Sequence, residues 1–172
     1  MNQPSGVRPD PGLTLLDLYE QALPQVYGYL LARCRQRAVA EDLTAEVFLA
    51  AMDSCRRGKV TEVSTSWLIG VARHKLVDHW RRAERERRGL RVLGGLVREA
   101  EDPWDERLDA LLARDVLAAL SAQHRCVLTL RYLDGLPVPE VASCLGRTVQ
   151  ATEALLVRAR GAFRAHYREG DR

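Results

Sequence analysis

Apolar residues recur at helical spacing along most of the chain, and no alternating run of β-branched residues marks a strand. Leu15, Leu18, Leu23, Val26, Leu30 and Leu31 predict one or two helices over residues 13–37, with that side inward. A further helix is predicted over 40–55, with Leu43, Val47, Leu49 and Ala50 or Ala51 as its apolar side. Its other side carries Glu41, Asp42, Thr44, Glu46 and Asp53, and no basic partner for these carboxylates is evident along the chain. Residues 65–82 project as a two-faced helix at about 100° per residue. Leu68, Ile69, Ala72, Leu76, Val77 and Trp80 fill one half, and His74, Lys75, Asp78, Arg81 and Arg82 most of the other, with Trp67 and Val71 among them.

Residues 120–164 read as three shorter helices. Leu120-Ser121 offers an N-cap, Val127, Leu128, Leu130 and Arg131 follow on a helical period, and Asp134-Gly135 ends the first helix. Val138, Val141, Ala142 and Leu145 mark the second, which stops at Gly146. Thr148 then caps a third helix with Val149, Thr152, Leu156, Ala159 and Phe163 on one stripe, leaving Gln150 and Glu153 on the opposite face. A helix pair joined by a short glycine turn fits a DNA major groove, but it is equally a common unit of plain helical bundles. The arginines at 158, 160, 164 and 168 tilt the balance toward phosphate contact.

The expected fold is all-α: two small helical domains joined by a flexible linker. Of the 172 residues 47% are hydrophobic, enough for real cores, and only 6% are aromatic, as helices rich in Leu, Ala and Val require. The net charge of +3 hides a segregation. From Arg56 to Arg98 there are 12 basic against 4 acidic residues; from Glu99 to Asp109 there are 6 acidic and one basic. The basic block suits an anionic partner. The acidic block, with Gly94-Gly95 before it and Pro103 inside it, reads as a linker. The division is therefore a disordered arm at 1–12, a helical unit at 13–85, a linker at 86–107 and a second helical unit at 108–172.

Several function classes fall away. Cys34, Cys55, Cys126 and Cys144 are dispersed, with no CxxC pair, so free thiols in a reducing compartment are expected rather than a disulfide framework or a metal site. His74 and His79 are five apart and face different ways, which gives neither a metal pair nor a catalytic dyad. No phosphate loop, GxSxG elbow or HExxH is present, so no catalytic residue, cofactor or enzyme activity is expected. No apolar run reaches the roughly 20 residues of a membrane span, and residues 1–12 lack a signal-peptide core. No membrane insertion is expected, and the expected location is cytoplasmic. A basic face with a neighbouring aromatic ring suits nucleic acid, charge holding the backbone and the ring stacking on an unpaired base. Trp67 and Trp80 as core residues under solvating arginines are the plainer alternative, and the basic loop Arg56, Arg57 and Lys59 before the same helix favours contact.

Taken in order, these blocks resemble the bacterial RNA polymerase sigma factors of the sigma-70 family, in particular the extracytoplasmic-function (ECF) group. The likeness covers about 150 residues. Ala40-Glu41-Asp42-Leu43-Thr44-Ala45-Glu46-Val47-Phe48 is similar to the region 2 helix that docks on the polymerase clamp. Trp67-Leu68, Ala72-Arg73, Asp78 and Arg81-Arg82 match the run that faces the −10 element. Leu130-Arg131-Tyr132, Asp134-Gly135-Leu136, Glu140-Val141-Ala142, Leu145-Gly146 and Arg158-Ala159-Arg160 match region 4, which binds the −35 element and the polymerase flap.

The resemblance implies a transcription initiation factor whose partners are core RNA polymerase, through clamp and flap, and promoter DNA; it leaves an anti-sigma factor open as a further partner. Core polymerase contact falls to Glu41, Asp42, Leu43, Glu46 and Phe48. Contact with −10 DNA falls to Arg56, Arg57, Lys59, Trp67, Arg73, His74, Lys75, Asp78, Arg81 and Arg82, with a pocket for a flipped base between the 56–64 loop and the helix after it. Contact with −35 DNA falls to Arg147, Thr148, Gln150, Ala151, Glu153, Ala154, Arg158 and Arg160.

The chain departs from the family pattern at three places. His74 replaces the usual asparagine, Pro137 and Pro139 stand where serine normally caps, and Glu153, Ala154 and Leu155 occupy recognition positions that are usually basic or polar. The rival reading is a helix-turn-helix regulator acting without polymerase, which accounts for 120–164 but leaves the two upstream blocks unexplained.

Overall fold

The structure, a computed structural model, describes residues 11–60, 62–92 and 108–170, and all the regular elements among them are helical. The first ten residues of the expected arm and residues 93–107 of the expected linker lie outside the described residues. Two compact units are formed, one ending at Leu76 and the other beginning at Val77.

In the first unit α1 (Pro11–Cys34) and α2 (Arg37–Arg56) pack against each other along their lengths. Their shared core is Leu15, Val26 and Leu30 from α1 with Ala40, Leu43, Val47 and Ala51 from α2. The segment expected as one or two helices is a single helix, although Pro24 lies inside it. Proline removes one amide from the ladder, but Pro24 is on the exposed side, where water can take the freed carbonyl. Leu49, expected inward, is instead 63% exposed; Ala51 takes the buried place. Thr44 is buried, and its hydroxyl donates to the Ala40 carbonyl at 2.6 Å, which removes the penalty of an unmade bond.

The third helix, α3 (Thr65–Val92), begins in this unit with Leu68, Ala72 and Leu76 fully buried and continues into the second with Val77 and Trp80 buried. It runs ten residues beyond the predicted end at Arg82, so residues 86–92, expected as linker, are helical. The added stretch is rich in Arg and Glu, good helix formers, and Arg88 pairs with Glu84 one turn back at 3.0 Å.

The second unit contains α4 (Leu108–Ala119), α5 (Ala122–Leu128), α6 (Val138–Leu145) and α7 (Val149–Gly170). Ser121 caps α5 by accepting from the His124 amide, as expected. A π-helical turn at Thr129–Leu133 prolongs α5, and Arg131 closes the following loop by donating to the Leu136 carbonyl at 3.0 Å. Pro137 is the N-cap of α6, with Pro139 in its first turn, where the missing proline amide has no helical acceptor to lose. Cys126, Val127, Leu130, Val141, Leu145, Leu155, Leu156 and Ala159 form the core. Burial holds the Cys126 thiol up at about 12 and the Cys34 thiol at about 11, so both stay protonated and unreactive at neutral pH.

Gly146 ends α6 in the left-handed region at φ 61°, and its amide returns to the Ser143 carbonyl at 3.1 Å. A Cβ there would meet nothing within 4 Å, so only backbone strain opposes a side chain. Gly146→Ala should therefore destabilise the second unit by about 1 kcal/mol and Gly146→Asn by less, read as shifts in the denaturant midpoint. Equal midpoints for all three proteins would show that this turn does not hold the helix pair.

Candidate nucleic-acid interface

Three exposed surfaces carry the candidate residues: the outer side of α2, the polar face of α3 with the loop before it, and the outward face of α7.

On α2, Glu41 and Asp42 are exposed, but Leu43 is only 4% exposed and belongs to the core, so it positions its neighbours rather than touching a partner. Glu46 also differs from expectation. Its carboxylate pairs with the ammonium of Lys75 on α3 at 3.1 Å, so the acidic face does have an intrachain basic partner. The pair ties α2 to α3 and withdraws Lys75 from the charge free to meet DNA. Phe48 is half-buried, with its ring edge against Tyr19 of α1 at 4.9 Å. At 100° per residue Asp42, Ala45, Leu49 and Met52 fall on one line, and Leu49 and Met52 are exposed. This surface thus sets uncovered apolar side chains beside carboxylates, and exposed apolar groups rimmed by polar ones are a feature of protein-interaction sites. Periodicity alone hides Leu49 and Met52, because it assigns large apolar residues to the core by default.

Along α3, His74, Asp78 and Arg82 are exposed in register, while Trp67, Arg73 and Lys75 are half-buried. Arg56 at the end of α2 and Arg57 and Lys59 just after it are exposed, and Arg57 is held by Asp53 at 2.9 Å, a solvated pair of small energy. Within the unit that begins at Val77, Arg81 is turned from the outer face and donates to the Leu145 carbonyl at the end of α6, at 3.0 Å. Trp80 is buried with the Arg125 guanidinium over its ring at 5.4 Å, and Arg125 also donates to the Leu117 and Ala118 carbonyls. Trp80 is therefore a core residue, while Trp67 keeps an accessible edge.

In the helix pair α6–α7, Thr148 caps α7 by accepting from the Ala151 amide at 3.2 Å. Arg147, Gln150, Glu153, Ala154, Arg158 and Arg160 are exposed, and Ala151 is half-buried. Arg147 donates to the Gln123 side-chain oxygen on α5 at 3.2 Å, a positioning contact between residues 24 apart that no local pattern announces. His124 is held below its usual range by burial and by the neighbouring Arg158. Thr152 is buried, with its hydroxyl donating to the Thr148 carbonyl at 2.9 Å. Leu155, expected at a recognition position, is buried beside Leu156 and Ala159, because its place on the helix faces the core. Val149, expected on the inward stripe, is exposed.

Comparison with known proteins gives a consistent result. Residues 18–86 match the family Sigma-70 region 2, and residues 110–163 match Sigma-70, region 4. The ECF RNA polymerase sigma factor SigL of Mycobacterium tuberculosis is 31% identical over 150 residues, covering 85% of this chain and 84% of that protein. The ECF RNA polymerase sigma factor BldN of Streptomyces coelicolor is 34% identical over 152 residues. That match covers 83% of this chain but 56% of the Streptomyces protein, so the chain spans little more than half the length of that relative. Among solved structures, RpoE in complex with the anti-sigma factor NepR from Bartonella quintana shares the fold, with a TM-score of 0.61, 18% identity, and coverage of 90% of this chain and 97% of that one.

The Glu46–Lys75 pair yields a direct test. Its side chains are 40% and 32% exposed, which limits its strength. A double-mutant cycle with Glu46→Ala and Lys75→Ala should give a coupling of about 0.2–1 kcal/mol that shrinks as salt is raised. Zero coupling at low salt would show that the two charges act independently.

Proposed function

This chain belongs to the extracytoplasmic-function group of the sigma-70 family of RNA polymerase sigma factors, and from that membership we propose that it binds core RNA polymerase, directs it to promoters through their −35 and −10 elements, and promotes DNA melting. The observation that carries this reading is the presence of both family regions, in order, in one chain, each with an exposed polar helix face. Sigma factors act as non-catalytic initiation factors, so the work is done by binding energy. In this role the chain operates in the cytoplasm, where the chromosome is. A helix-turn-helix regulator acting alone would leave the region 2 match without a purpose.

Each surface has a part in this scheme. The outer side of α2, with Glu41, Asp42, Leu49 and Met52, meets the polymerase clamp: apolar contact supplies affinity and the carboxylates set register. Tyr132 and Leu133, both exposed at the π-helical turn, offer region 4 an apolar contact for the flap. Trp67, His74, Asp78 and Arg82 face the −10 element, and Arg56, Arg57 and Lys59 flank the pocket for an extruded base. Extrusion costs a few kcal/mol, which stacking on the Trp67 edge and hydrogen bonds in the pocket offset. Arg147, Gln150, Glu153 and Arg158 address the −35 element. Glu153 repels phosphates, so it contributes where a cytosine amino group lies within reach. The reading extends to an inhibitory partner of the kind held by the Bartonella protein.

Run-off transcription with core enzyme and a pool of genomic promoters tests the whole scheme. Specific transcripts that depend on the added protein support it; DNA binding without polymerase dependence would return the chain to the regulator class. Asp42→Lys and Leu49→Ala should each weaken core binding by about 1–2 kcal/mol while leaving helicity intact. Arg82→Ala should slow open-complex formation, seen as lower permanganate reactivity of the −10 thymines, and flatten the salt dependence of binding by about one unit of slope. Wild-type values in both measurements would make the polar face of α3 merely a solvated surface.

A further inference from the structure

We propose that Val157 of α7 is a specificity residue that recognises the C5-methyl group of a thymine in the −35 element. The inference rests on the proposed −35 role of α7 and adds a residue and a base to it.

Val157 is 61% exposed although it is an apolar, β-branched residue in the middle of a long helix. Its exposure follows from its place on the helix. At 100° per residue Gln150, Ala154, Val157 and Gly161 lie within about 60° of one another. The buried set Thr152, Leu155, Leu156 and Ala159 occupies the opposite side. Ala154 and Gly161, three before and four after, are too short to shield Val157, so its isopropyl group is the tallest apolar feature on that line. The flanks carry the exposed arginines Arg158, Arg160 and Arg164, which outnumber the one exposed carboxylate beside Val157, that of Glu153 a turn before it. An apolar knob with cations on both sides suits a groove lined by phosphates better than an apolar protein surface.

The chemistry of the groove then narrows the ligand. Among base edges in the major groove the thymine methyl is the apolar one, and small aliphatic side chains are the groups that pack on it. Valine suits this task, since its stiff χ1 leaves little rotamer freedom to lose on contact. Gln150 and Val157 are seven residues apart, about 10.5 Å along the axis at 1.5 Å per residue. At about 3.4 Å per base pair this reaches at most roughly three base pairs along the duplex. Gln150 near the start of α7 and Val157 two turns on thus address separate positions of one element, with Glu153 and Ala154 between them.

The test uses the full-length protein with core RNA polymerase. Selection from randomised −35 elements should yield a thymine, on either strand, within about three base pairs of the position whose preference changes in Gln150→Ala. Replacing that thymine with deoxyuridine removes only the methyl group. Binding by the wild-type holoenzyme should fall about fourfold, the effect of leaving one methyl group unburied. Val157→Ser should bind the thymine and deoxyuridine promoters equally and Val157→Ala, with a shorter apolar side chain, should show a reduced difference, whereas Glu153→Ala should retain the full sensitivity. A deoxyuridine effect that persists in both Val157 variants, or none in the wild type, overturns the assignment. Absence of any −35 preference in the selection is a different failure, which removes the −35 role of α7 and this proposal with it.

Discussion

Burial along one side of α3, through Leu68, Ala72, Leu76 and Trp80, decides which residues remain to meet a partner. A helix offers 3.6 positions per turn, and a side chain committed to the core cannot also reach DNA. Once the apolar half is packed, His74, Asp78 and Arg82 are left in register on the outside. The same exclusion governs α7, where Thr152, Leu155, Leu156 and Ala159 are inward and Gln150, Glu153, Ala154 and Val157 outward. Recognition in this chain is carried by the positions that packing leaves over.

Packing also has to accommodate polar groups, and for two buried threonines it does so within a single helix. Thr44 and Thr152 are both buried, and each returns its hydroxyl to the carbonyl four residues before it. This back-bonding makes a buried threonine tolerable without a partner on another helix. Arg125 needs two carbonyls and the face of Trp80 to sit half-buried. Ion pairing also joins separate helices, as Lys75 of α3 does with Glu46 of α2.

Much of this was legible from periodicity and caps. The inward sets of α1 and α3, the Ser121 and Thr148 caps and the left-handed stop at Gly146 all derive from short-range rules that sequence displays directly. The features that escaped were of two kinds. Contacts between distant residues, such as Glu46 with Lys75 or Arg147 with Gln123, depend on helix packing and leave no local trace. Apolar residues that stay outside were hidden by the rule that places leucine and valine inward; Leu49, Val149 and Val157 all break it. The end of α3 was set too early because the pattern there is carried by propensity and i,i+4 pairing rather than by an apolar stripe. The roles of individual residues toward polymerase and promoter rest on family likeness and surface chemistry.

The π-helical turn at Thr129–Leu133 bears on how such a chain can change over time. A π turn accommodates one residue more than the α-helix it interrupts. Removing a single residue there restores regular winding and swings the helix before it by about 100° relative to the loop and helices after it. Leu130, now fully buried, and Tyr132, now exposed, could not both keep their surroundings after such a rotation. A substitution at exposed Tyr132 leaves the core untouched, but a one-residue deletion is a discrete jump that the core of the second unit must absorb at once. Length at this turn is therefore held more tightly by the core than is the identity of its exposed side chains, which separates the ways this surface can diverge from those that the fold forbids.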